Sequence, residues 1–144
     1  MASTVANKIK YLLAKKAIDF SADSFKIILM QSGFTFDKDT HHAYSDVSAS
    51  ELATANGYTQ DTKTLSGVAV TEDDTDDRTE ITWSNVTWTA SGGSIGPTPG
   101  AIIYDDTVTT PTANPIVGYI DFGGDQTQAD GGTATISGIE FRIG

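Results

Sequence analysis

Apolar positions fall into short runs separated by stretches of Thr, Ser, Asp, Asn and Gly. The most prominent runs are Ala101–Tyr104 and Ile116–Phe122. Both are rich in Ile, Val and Tyr, which suit a pleated, half-buried surface. The segment between them carries Thr, Asp, Pro and Asn, residues that turn a chain. The pattern predicts a hairpin with Ile103, Ile120 and Phe122 in the core. Pro115 stands just before its second strand, where a missing N–H harms the ladder least. Phe122-Gly123-Gly124 is expected to end that strand, because glycine accepts backbone angles that other residues avoid. A lone hairpin is marginal in water, so the remaining runs must pair with it or pack on it.

Those remaining runs also read mostly as strands. Ser24–Met30 is one, and Thr64–Thr71 another, centred on Val68 and Val70. Thr79–Trp83 puts Ile81 and Trp83 on one face. The phase then slips by one residue to Val86 and Trp88, which predicts a bulge or tight turn at Ser84-Asn85. Thr133–Ile136 and Ile139–Ile143 close the chain. Gly33–Ala43 reads as a loop anchored by Phe34 and Phe36, and Ser91–Gly100 as loop by composition. Asn56-Gly57 is a turn signal before Tyr58. In Ser45–Ala55, Ser48-Ala49-Ser50-Glu51 matches a capping box for a short helical turn, with Leu52 as its apolar foot.

At the start, Ser3 or Thr4 is placed to cap a helix whose apolar stripe is Val5, Ile9, Leu12 and Leu13. Such a short helix needs a surface to lie on. Either it packs on its own sheet, or it docks onto a partner through Lys8, Leu12, Lys15 and Lys16. With roughly eight short strands, the expected fold is mainly β: an antiparallel β-sandwich or jelly-roll-like domain with a short N-terminal helix. The division is a helical segment, 1–17, followed by a β domain, 18–144.

Composition narrows the partners. The 144 residues fit one domain with a real core. A net charge of -10, from 19 acidic and 9 basic residues, opposes binding to nucleic acid or an anionic membrane. No run approaches a membrane span, and Tyr11–Ala14 is too short an apolar stretch for a secretory signal. The chain has no Cys, which removes disulfides and thiolate chemistry. Charge is unevenly spread: Lys8, Lys10, Lys15, Lys16, Lys26 and Lys38 all lie in the first 38 positions, and only Lys63, Arg78 and Arg142 follow.

Candidate chemistry is sparse. His41-His42 has Asp37, Asp39 and Asp46 nearby, but adjacent residues on an extended chain point to opposite faces. Glu72–Asp77 is the densest acidic run; it lacks the ligand spacing of a calcium loop and reads as a connection held extended by its own repulsion. Trp83 and Trp88 suit a carbohydrate-binding sandwich only if exposed together, and are otherwise core. A hydrolase requires an acidic pair converging in a pocket. No nucleophile elbow, P-loop or dinucleotide fingerprint is present. The reading from the residues is therefore no catalytic group, no cofactor and no metal.

The order of several blocks is similar to that of a family of small tailed-bacteriophage virion proteins. A basic helix leads into AIDFSADSFKIILM (Ala17–Met30), and Gly57-Tyr58-Thr59 follows after the histidine pair. The second half carries AIIYDD (Ala101–Asp106), GYIDFGGDQ (Gly118–Gln126) and a closing GIEFRIG (Gly138–Gly144). Gly57–Thr59 and Asp121–Gln126 are the most specific blocks. The resemblance implies a virion structural protein of the capsid decoration (cement) type. Such a protein is made in the host cytoplasm and binds the major capsid protein on the outer face of the head. It often does so as a homotrimer. A tail or head–tail connector component is the rival within the same class.

Overall fold

The computed structural model describes residues 2–144 as nine strands, one helix of two turns and two short helical turns. Strand β1 (Ala2–Val5) opens the chain, followed by helix α1 (Asn7–Ala14) and strand β2 (Phe25–Leu29). A helical turn, α2 (Tyr44–Val47), runs on into a 3-10 turn at Ser48–Ser50. Then come β3 (Ala69–Asp73), β4 (Arg78–Trp83), β5 (Val86–Thr89), β6 (Ile95–Asp105), β7 (Ile116–Gln128), β8 (Thr133–Ile136) and β9 (Ile139–Ile143). All strand pairs are antiparallel. They form sheets ordered β1-β7-β6-β2, β3-β4-β9 and β5-β8. The fold is mainly β, a sandwich with a short helix.

The central hairpin is β6–β7, and its runs are apolar at consecutive positions for a physical reason. The four-stranded sheet is buried on both faces, so side chains pointing either way must be apolar. On one face Phe25, Ile27, Leu29, Ala101, Ile103, Val117 and Ile120 meet the other two sheets and α1. On the other, Ile28, Met30, Ile102, Tyr104, Ile116 and Tyr119 lie under Phe34, Phe36 and Tyr44. The loop anchors read from the sequence thus form the cover of a second, smaller core. Gly118 has a steric role here. A Cβ added to it would stand 2.3 Å from the Thr4 carbonyl oxygen and 2.5 Å from the Phe141 ring. Its lack of a side chain lets β1 and Phe141 close on β7.

Several expectations need correction. Ser3 and Thr4 do not cap α1, because they are paired in β1 with Ile120 and Tyr119. The helix starts after Ala6 without a side-chain cap, and the Asn7 N–H donates instead to the Lys38 carbonyl at 3.0 Å. Phe122-Gly123-Gly124 does not end β7, and Ile95–Gly100 is strand. Gly123 and Gly124, at φ 79° and 145°, let β7 bulge. From the Thr98–Gln126 pair to the Gly100–Asp121 pair, two steps on β6 face five on β7. Composition reads such an irregular ladder as loop.

The slip between Trp83 and Val86 is more than a bulge, since β4 pairs with β3 and β9 whereas β5 pairs with β8. There the chain crosses between sheets. The third strand begins at Ala69, later than Thr64, and leaves Val70 exposed. Finally, Glu72–Asp77 is not an extended connection. Glu72 and Asp73 end β3 and residues 74–77 turn the chain into β4, where Arg78 ion-pairs with Asp73, Asp76 and Glu80 at 3.2, 3.2 and 2.8 Å.

Ile103 and Ile120 are buried as expected, but Phe122 is only partly so. A half-packed ring leaves a smaller void when removed than an enclosed one. Phe122→Ala is therefore expected to cost about 1–2 kcal/mol, below the 3–5 of a sealed ring. Chemical denaturation checks this; a loss above about 3 kcal/mol would mean the ring is enclosed in solution.

Candidate interaction surface and two buried carboxylates

Helix α1 is fastened to the sandwich by Ile9 and Leu12, both fully enclosed in the main core. Leu12 therefore cannot be a partner-binding residue, a correction that follows from the i, i+3 spacing that turns it inward with Ile9. The Ala6 N–H bonds the Val117 carbonyl at 2.9 Å, so the leading segment is knitted into the fold. Deleting 1–16 would remove an edge strand and the core residues Ala6, Ile9 and Leu12 along with the lysines.

The opposite face of α1 is open. Lys8, Tyr11 and Lys15 share it by spacing, and Lys16 follows at φ 56° beyond the helix end. Tyr11 is 49% exposed, and the Lys8 ammonium lies 4.9 Å from its ring centroid, a cation–π arrangement. Tyr11 was not singled out in the sequence; its place three and four residues from two lysines was the available signal. Beside the helix runs a groove of about 600 Å³ lined by Ala2–Val5, Lys10, Lys38, Glu140 and Arg142.

Charge pairing distinguishes this end of the molecule. Among the described residues, every lysine or arginine ion pair belongs to Lys26, Arg78 or Arg142. Lys63 donates to the Thr87 carbonyl and lies over Trp88. Lys8, Lys10, Lys15, Lys16 and Lys38, all around α1, have no carboxylate within pairing distance among the described residues.

Other candidate residues are placed elsewhere. His41 stacks on Phe34 and accepts the Asp37 N–H, while the His42 ring meets the Asp39 carbonyl; the two imidazoles do not converge. Trp83 and Trp88 are both buried, which removes the exposed pair that the carbohydrate reading required. Trp83 packs among Phe20, Phe25 and Phe141. A second groove, about 420 Å³, lies between β6–β7 and β5–β8, with Ile95, Phe122 and Ile136 below Thr98, Gln126 and Gln128.

Two carboxylates are buried. Glu51 is no capping-box residue, since Asp46 takes that role by accepting the His42 and Ala43 N–H groups. Glu51 is 0% exposed and accepts from the hydroxyls of Tyr58 and Tyr44 at 2.8 and 2.6 Å and from the Asp61 N–H at 2.9 Å. The Tyr58 oxygen in turn accepts the Leu29 N–H at 2.9 Å. Burial first, and Glu51 next to them, hold both phenols well above their ordinary pKa, so they remain donors. Tyr58 reaches this place through the Asn56-Gly57 turn, with both central φ positive.

Asp105, at the end of β6, is also 0% exposed. Its Oδ1 accepts the Thr107 and Val108 N–H groups, and its Oδ2 has no donor. The carboxyl of half-buried Asp23 faces it. Burial, then Asp23, push the Asp105 carboxyl up to about 7. Asp105 is sealed, and neither it nor Asp23 lines either groove.

No family model, curated protein or solved structure matches this chain.

Proposed function

We propose that this chain is a bacteriophage virion structural protein that decorates the assembled head. It would act by burying surface, with the lysine face of α1 against a partner. The carrying observation is the order of sequence blocks running almost from end to end, with Gly57–Thr59 and Asp121–Gln126 as the most specific. Geometry gives these two blocks demanding places. The first seats Tyr58 under Glu51, and the second is the bulged half of β7. An exposed aromatic ringed by unpaired lysines on an acidic body supports a contact-making role, because complementary charge steers and orients association.

A protein that binds only the intact shell raises its resistance to heat by mass action. Cryo-electron microscopy of the virion is expected to show many copies on the outer face of the head. Density confined to the tail or portal vertex would instead support a tail or connector protein.

A further inference from the structure

We infer that the lysine face of α1 binds the acidic β3–β4 hairpin of a second copy of this chain, head to tail. The inference rests on the reading of that face as a partner surface and names the partner.

Two patches on the molecule match each other. Tyr11 and Val70 are the two large hydrophobic residues exposed among those described, at 49% and 44%. Around each, one sign of charge predominates. Tyr11 lies among Lys8, Lys10, Lys15 and Lys16. Val70 lies on β3 beside Glu72 and shares the hairpin with Asp74 and Asp77. Arg78 pairs with Asp73, Asp76 and Glu80, which leaves Glu72, Asp74 and Asp77 exposed with no cation in pairing distance among the described residues.

The shape also fits. β3 is the outer strand of its sheet and is exposed along Ala69–Glu72, so both its faces and one backbone edge are open. An open strand edge invites another chain. Val70 shares the face of its register partner Ile81, yet Ile81 is covered and Val70 is not. Among the described residues, no ion pair joins the two patches within one chain. That leaves the charges of both patches free to pair between copies. One patch against a different patch closes either as a reciprocal two-fold pair or, head to tail, as a ring. Three copies would give the trimer expected of a decoration protein.

Salt and charge reversal test this. Sedimentation velocity at low salt should show an oligomer of the full chain that dissociates as salt rises, since screening weakens opposite-charge contacts. Relief of the repulsion between chains of net charge -10 would act the other way. The double variant Lys8→Glu/Lys15→Glu and the double variant Glu72→Lys/Asp74→Lys should each weaken association about 100-fold, because like charges would then face each other. Lys15, Glu72 and Asp74 are exposed and Lys8 is partly so, and circular dichroism checks that the fold is kept. Combining the four changes in one chain restores opposite signs and should restore the oligomer.

A wild-type monomer at low salt, an oligomer that neither reversal weakens, or failure of the combined variant to reassemble would overturn the proposal. Co-sedimentation with empty heads separates this from the functional reading. A monomer that still decorates heads overturns only the self-contact. A charge-dependent oligomer that ignores heads overturns only the decoration role.

Discussion

Glu51→Ala should lower stability by about 3–5 kcal/mol, because it strands one buried and two part-buried donors at once. The hydroxyls of Tyr44 and Tyr58 and the Asp61 N–H all point at the carboxylate, Tyr58 from a buried position and the other two from part-buried ones. Glu51 also tethers its segment to the four-stranded sheet. The Leu52 N–H donates to the Leu29 carbonyl at 2.8 Å, and the Tyr58 oxygen holds the Leu29 N–H. Losing the carboxylate therefore loosens the chain around β2 as well as the tyrosines. For a domain of this size the melting temperature should fall by roughly 10 °C. Glu51→Gln keeps the volume and one carbonyl oxygen, but its amide protons face groups that are already donors. It should cost less, roughly 1–3 kcal/mol. Denaturant titration of both variants checks the order; a Glu51→Ala loss under about 1 kcal/mol would show that the donors find other partners.

Asp105→Asn should flatten the pH dependence of stability and raise stability at neutral pH. Folded Asp105 keeps its proton up to about pH 7, whereas an unfolded aspartate releases it near pH 4. Between those values the folded state binds more protons than the unfolded one. Stability contributed by this site thus falls as pH rises from about 4 to about 7. An asparagine keeps an oxygen for the Thr107 and Val108 N–H groups, and its amide can donate to the Asp23 carboxylate. It copies the protonated acid and does not titrate. Wild-type melting temperature should therefore rise by several degrees relative to Asp105→Asn as pH is lowered from 8 to 5. Parallel melting curves for the two proteins across that range would show that no proton is held between Asp23 and Asp105.

The strands were legible where burial sets a period. Ile81 and Trp83 show the alternation of a half-buried strand, and Ile103 and Ile120 lie in runs that only a doubly buried sheet explains. Tight turns such as Asn56-Gly57 were legible too, because positive φ restricts residue type. Misreadings arose where one local pattern serves two outcomes. Ser3 and Thr4 suit an N-cap and equally an edge strand, and pairing with β7 decided it. Ser48–Glu51 fits a capping box, yet Tyr44, Tyr58 and Asp61 claim the glutamate. Glycines at 123 and 124 suggest an end to β7, but a partner strand that tolerates a bulge carries the ladder to Gln128. In the Glu72–Asp77 run, like-charge repulsion gave way to one arginine, Arg78, brought opposite Asp73 by strand register.

Sequence by itself determined the class of the fold, the location of its central hairpin, the basic leading end and the acidic run. Each of these depends on residue type and near-neighbour spacing. Tertiary structure alone decided which sheet each strand joins, that Leu12 faces inward while Tyr11 faces out, and which carboxylates are buried together. Those outcomes depend on contacts between residues far apart in the chain, such as Asp23 with Asp105 or Ala6 with Val117, whose free energies leave no periodic mark on the sequence.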